Sequence, residues 1–302
     1  MPHPGIRPAP RRPASFGSDV PMTLAPPAPV HTSTVVVARR RRHPARLVRK
    51  IALGSLGIVG FLGLWQLVSA LGLVRASSLP SAVDTFAQLG VMARDLEFWR
   101  NIGRTMTTWA IGLVTAGVLG IVLGAIVGLV PFLRRATHTT VEFLRPIPSV
   151  ALIPLAILAY GIQMQAALVI VVYACFWQVF VQVLYGVADI DTVARDTARS
   201  FGLTRASRLR NLVLPTALPY VMTGLRLAAA VALILAITAE MTIGNPGLGR
   251  VIFQASNVGN ITTVYAIVIV TGILGLIVNL VFRLIERRSL SWHQSVRGEE
   301  VL

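Results

Sequence analysis

Lysine is almost missing from these 302 residues: Lys50 is the only one, and Arg49 precedes it. A phosphate-gripping loop of the form GxxxxGK followed by Ser or Thr needs a glycine before its lysine, so the chain cannot supply one. Cysteine is equally scarce. With Cys175 alone, an intrachain disulfide and a cysteine-based metal site are both excluded. The five histidines, His3, His31, His43, His138 and His293, lie far apart, and none forms an HExxH pair. Charge is thin and one-sided: charged residues make up 13% of the chain, against about 25% in ordinary soluble domains. Twelve acidic residues face 28 basic ones, leaving a net charge of +16. In a soluble protein that excess would indicate a nucleic-acid binder, but so few charges cannot cover a water-exposed surface.

Hydrophobic residues take up the balance, at 54% with a mean hydropathy of +0.70. Crossing about 30 Å of hydrocarbon takes about 20 apolar residues in a helix. Runs that qualify are Ile51 to Val74, Thr105 to Val130, a proline-interrupted one from Val141 to Tyr160, Met164 to Tyr185, Ala217 to Ala239 and Thr262 to Leu284. The third contains Arg145, Pro146, Pro148 and Pro154, which a helix tolerates only when neighbouring helices satisfy its freed carbonyls. These runs predict an all-α polytopic membrane protein with about six transmembrane helices over residues 51–290. Residues 1–50, rich in Pro, Arg, Ser and Thr, read as a disordered basic arm, and residues 291–302 as a short tail. The first run follows some 50 residues of leader and is longer than a signal-peptide core, so it reads as an anchor. Met22 is a candidate start.

Lys and Arg in the connections set the orientation. With the N-terminus inside, 22 of them fall on the cytoplasmic side and five (Arg75, Arg94, Arg100, Arg104, Arg250) on the other. Both termini are then cytoplasmic and the number of spans is even. The basic excess becomes an orientation signal that contacts anionic lipid headgroups, with no nucleic acid required.

The connection from Asp189 to Pro215 is too polar to insert. Thr192 to Ser200 favours a helix, Gly202 can end it as a C-terminal cap, and Thr204 to Leu212 starts a second, basic amphipathic helix. A docking element for a soluble partner and a plain solvated loop both fit that composition. Its spacing resembles the cytoplasmic signature of ABC importer membrane subunits: Glu-Ala-Ala, three residues, Gly, nine residues, Ile, one residue, Leu-Pro. Asp196, Thr197, Ala198, Gly202, Leu212, Leu214 and Pro215 occupy that register without insertion or deletion. Asp stands for Glu, Thr for the first Ala and Leu for Ile. The stretch Leu144-Arg145-Pro146-Ile147-Pro148-Ser149-Val150-Ala151-Leu152-Ile153-Pro154-Leu155, with Thr223-Gly224-Leu225-Arg226, Ala239-Glu240-Met241, Gly247-Leu248-Gly249 and the closing Glu286-Arg287 and Trp292, resembles the branch that imports nitrate, sulfonates and taurine.

The resemblance implies the type I importer transmembrane fold with a cytoplasmic coupling helix, in the bacterial inner membrane. It also implies a homodimer forming the pore, two copies of a separate ATPase subunit that bind ATP and Mg, and a periplasmic or lipid-anchored solute-binding protein. This chain would then be a transport subunit and not an enzyme, with no cofactor of its own. A different class, an ATP-independent secondary carrier or channel, would need internal repeats or several buried charges, and neither is evident.

Ionisable residues in or beside the spans are scarce, and two of them, Arg226 and Glu240, are candidates for the pathway or gate. Arg226 is expected to be paired, with Glu142 or a backbone carbonyl, or else to meet an anionic substrate. Glu240 reads as part of an outer gate or as an exposed helix-end carboxylate, ahead of an outer loop from Met241 to Asn260 with a turn at Asn245-Pro246-Gly247. Gly120, Gly124 and Gly128 form a stripe that allows close helix approach, and Gly54, Gly57, Gly60 and Gly63 invite the same reading. Trp65, Trp109 and Trp177 are expected to pack in the core or at the lipid interface.

Overall fold

The computed structural model describes residues 44–75 and 77–290. The basic arm up to residue 43, the tail and Trp292 lie outside the described residues. The chain divides into two compact units, Met1–Leu53 and Gly54–Leu302. Of the first, only the opening turns of helix α1 are described.

All regular structure among the described residues is helical. The elements are α1 (Pro44–Ala70), α2 (Ala82–Met92), α3 (Leu96–Leu129), α4 (Pro131–Leu144), a 3-10 turn (Ser149–Leu152), α5 (Ile153–Tyr160), α6 (Met164–Ala188), α7 (Thr192–Ser200), α8 (Arg205–Arg208), a π turn (Leu209–Val213), α9 (Leu214–Ile243), α10 (Leu248–Asn257) and α11 (Ile261–Ser289). Among the described residues five helices are long and apolar enough to cross a membrane, and α4 with the Ser149–Tyr160 segment, bent by 82°, brings the number to six if that pair crosses as one span. The sequence predicts an interrupted run from Val141 to Tyr160. The structure instead breaks it at Arg145–Pro148, after α4, which starts earlier at Pro131, and before the 3-10 turn that leads into α5, which ends at Tyr160. Pro146 and Pro148 have no N–H to give, so the helical hydrogen-bond pattern cannot continue through them.

The packed centre is α6 between α3 and α9. Hydrocarbon gives helices no hydrophobic reason to associate, so close contact depends on small residues. On α3, a Cβ at Gly120 would lie 2.8 Å from the Val179 Cβ, one at Gly124 2.9 Å from the Val183 Cβ, and one at Gly128 3.0 Å from the Val187 Cβ. That stripe therefore serves packing within the chain. The α9 face is alanine-rich: Ala228, Ala229, Ala232, Ala236 and Ala239 are fully buried. Trp109 completes the seam by donating its indole N–H to the Ala229 carbonyl at 2.8 Å.

Helix α1 departs from expectation. A Cβ at Gly54, Gly57, Gly60 or Gly63 would meet nothing within 4 Å, and Leu56, Ile58 and Phe61 on the same helix are exposed. Its last turns are held by Trp65, whose indole N–H donates to the Pro80 carbonyl at 3.0 Å and whose ring lies 5.9 Å from that of Tyr265. Two short helices, α2 and α10, stand where only connections were expected. Ser81 caps α2 by accepting from the Asp84 N–H, and Gln88 ties that helix to Thr263 at the start of α11.

Candidate functional site

The connection between α6 and α9 folds as its composition suggests. Asp191 accepts from the Val193 N–H at 2.7 Å, capping the start of α7. At the other end Gly202, with φ +68°, donates to the Arg199 carbonyl at 2.9 Å while Leu203 donates to Ala198 at 3.1 Å. This paired return is the Schellman arrangement, which favours glycine because a Cβ resists positive φ. Thr204 then caps α8, and the π turn runs directly into α9, with Pro215 in its first turn. The widened turn falls where regular α geometry would set the Pro215 ring against the carbonyl four residues back.

Asp196, Thr197 and Ala198 lie on α7. Asp196 is exposed and forms an ion pair with Arg199 at 3.5 Å. No residue of α7 is buried, and its apolar groups point outward: Val193 is 70% exposed and Phe201, just past its end, 80%. Leu212 packs against the main core, whereas Leu214 is exposed. Behind α7 a cleft of about 630 Å³ is lined by Arg134, Arg195, Arg199, Arg205 and Arg208 with the ends of α3 and α6. Tyr220 on α9 donates to Asp189 at 2.8 Å and fixes the loop's first residue to the second helix.

At the opposite end of the bundle, Glu240 is 1% exposed, which overturns the reading of an exposed helix-end carboxylate. Its Oε2 accepts from the Thr105 hydroxyl at 2.8 Å and from the Gly249 N–H at 3.1 Å. Thr105 in turn accepts from the Leu248 N–H at 3.0 Å. One carboxylate thus joins α3, α9 and α10. A Cβ at Gly249 would overlap the Ile237 carbonyl, and one at Gly247 the Glu240 carboxylate itself. Asn245 donates to the Gln163 carbonyl at 2.8 Å, holding the turn to the start of α6. Sequence reasoning missed Thr105 with its bonds to Glu240 and Leu248, and the close approach of Gly247 and Gly249 to Glu240. The signal present was a Gly-x-Gly shortly after a membrane acid, a pattern for close backbone approach.

Arg226 is paired, but not with Glu142. It meets Glu286 of α11 at 3.1 Å, while Glu142 pairs with His138 on its own helix at 3.5 Å. Arg226 and Glu240 sit at different levels of α9 and do not meet. The structure does not bring either to the α7 loop.

Apolar helices of membrane length, tied at one end by a capped polar loop and at the other by a buried carboxylate, define a polytopic α-helical membrane protein. The chain belongs to the family described as binding-protein-dependent transport system inner membrane component, whose pattern matches residues 116–291. It is an ABC importer permease of the nitrate, sulfonate and taurine branch. It is 28% identical over 265 residues to the taurine transport system permease protein TauC of Escherichia coli (strain K12), covering 86% of this chain and 96% of that one. With the putative aliphatic sulfonates transport permease protein SsuC of the same strain it shares 30% over 242 residues, covering 80% and 92%. The fold is also that of the MetNI methionine ABC transporter in inward-facing form, with a TM-score of 0.56 at 21% identity over 64% of this chain and 95% of that one.

Proposed function

We propose that this permease forms, as a homodimer, the pore of an ATP-driven importer for a small oxyanion: an aliphatic sulfonate, taurine or nitrate, with bicarbonate in the same chemical class. Relatives of comparable similarity carry sulfonate, nitrate and bicarbonate names, and all are compact anions or zwitterions bearing an oxyanion. A periplasmic or lipid-anchored binding protein delivers the solute. Two copies of a separate ATPase subunit bind ATP and magnesium on the cytoplasmic side, where the arginine distribution also puts both termini.

The observation that carries this reading is α7. It is fastened by bonded caps at both ends, yet turns Val193 and Phe201 outward without a partner among the described residues. Asp196, Thr197 and Ala198 form the surface that rests on the ATPase. Gly202 gives the reversal, and Leu212, Leu214 and Pro215 pass the movement into α9. At the other end Glu240 holds the outer closure, and Arg226 fixes α9 to α11.

Gly202→Val tests this directly, because a β-branched residue at φ +68° is strained by about 1–2 kcal/mol. Membrane insertion is expected to persist, with ATPase co-purification and ATP-driven uptake both lost. Wild-type co-purification and uptake in this variant would sink the coupling role.

A further inference from the structure

The bend puts Arg145, one of the 22 basic residues that the sequence assigns to the cytoplasmic side, beside the interior of α6 instead of at its end. Arg145 caps α4 at the bend, and the Tyr173 hydroxyl donates to the adjacent Leu144 carbonyl at 2.7 Å. Tyr173 stands well inside α6, which runs from Met164 to Ala188, about 14 Å from one end and about 22 Å from the other at 1.5 Å per residue. Val231, midway along α9, lines the same cleft. Arg145 is exposed, and among the described residues it forms no ion pair, whereas Glu286 neutralises Arg226. A guanidinium without an ion pair beside the middle of two apolar helices is costly against hydrocarbon, and a water-filled passage removes that cost.

The wall around it is rich in donors. Tyr173, Trp177, Gln178, Gln182 and Tyr185 of α6 line the cleft together with Arg145, and no carboxylate does. The Trp177 indole N–H is buried and has no acceptor among the described residues. At about 280 Å³ the space falls below the roughly 300–1,000 Å³ of drug-sized sites, which suits a ligand of few heavy atoms. A guanidinium, two amides, the Tyr185 phenol and an idle indole N–H suit one chemistry, several oxygen acceptors around a negative charge, while the Tyr173 hydroxyl is already committed to Leu144.

We propose that Arg145, Trp177, Gln178 and Gln182 form a membrane-embedded transit site for a small oxyanion. The permease then reads the charge of its cargo inside the pore, in addition to the selection made by the binding protein. This rests on the reading of the chain as an oxyanion importer and adds the residues that contact the cargo on its way through.

The test uses the full transporter, this chain with its ATPase and binding protein, in proteoliposomes. If the wild type accumulates none of taurine, nitrate or bicarbonate, the importer reading fails. The site itself is probed independently of cargo by placing Gln178→Cys in the cleft, since Cys175 is fully buried and stays silent. Sulfonatoethyl methanethiosulfonate, itself an alkanesulfonate, is compared with its trimethylammonium counterpart. Adding Arg145→Gln is expected to lower the anionic-to-cationic rate ratio by about tenfold, the lower range of electrostatic focusing, and Arg145→Lys to preserve it. Gln182→Glu, which puts a negative charge on the same wall without touching the bend, is expected to lower the ratio as well and serves if Arg145→Gln does not assemble. An unreactive Gln178→Cys, or a ratio indifferent to these charges, overturns the proposal, as does wild-type uptake by an assembled Arg145→Gln transporter.

Discussion

At the residue scale, Glu240 shows what a buried acid requires in order to be tolerated near the end of a membrane helix. Its carboxylate satisfies the Thr105 hydroxyl and the Gly249 N–H, and two glycines keep the approach open. Removing the acceptor strands both donors, each worth about 1–3 kcal/mol when buried. Glu240→Ala should therefore unfold at a markedly lower temperature than wild type, and Glu240→Gln, which keeps an acceptor oxygen, should fall between them. Reaction of the buried Cys175 with a thiol-specific dye on heating reports the midpoints. Equal midpoints for the alanine and glutamine variants would contradict the bonding described. This knot was illegible in the sequence because Thr105 lies 135 residues from Glu240, and nothing local ties the two. For the same reason the pairing of Arg226 was expected and its partner was misjudged, since Glu286 is 60 residues away. Gly202, by contrast, was legible, because a helix cap is decided by its immediate neighbours.

Two glycine series that look alike in sequence behave differently as elements. Gly120, Gly124 and Gly128 recur every fourth residue and bring α3 onto valines of α6, while the glycines of α1, three apart, face open space. Gly124→Leu should cost at least the roughly 1–3 kcal/mol typical of overpacking, and Gly54→Leu in the isolated chain should leave the midpoint near that of wild type. If the two substitutions lowered the thermal midpoint equally in the same thiol assay, the assignment of α3 and α6 as the packed seam would be wrong. Length and hydropathy sufficed to predict the spans, because about 20 apolar residues have few other uses. The bend was visible only as prolines: they mark where a helix cannot continue but not the direction it takes afterwards. Helices α2 and α10, at 11 and 10 residues, were missed because runs so short carry no membrane signal. The π turn is set by the demands of Pro215 on its neighbours and has no sequence signature of its own.

For the whole molecule, the excess of basic charge that first suggested a phosphate-binding surface is divided between residues 1–50, which hold ten of the 28 basic residues, and the connections between helices, with one cluster around α7 and with Arg145 at the bend of the third apolar run. Under the function proposed above, the missing Walker lysine and the outward-facing α7 belong together: a chain without a phosphate loop would present a surface through which another subunit drives it. The most direct measurement of that claim is solute accumulation in proteoliposomes containing this chain, with and without its ATPase, the binding protein and ATP. The account predicts accumulation of a small oxyanion only when all three are supplied, and none with the chain alone. Accumulation by the chain alone under an ion gradient, without ATP, would contradict it.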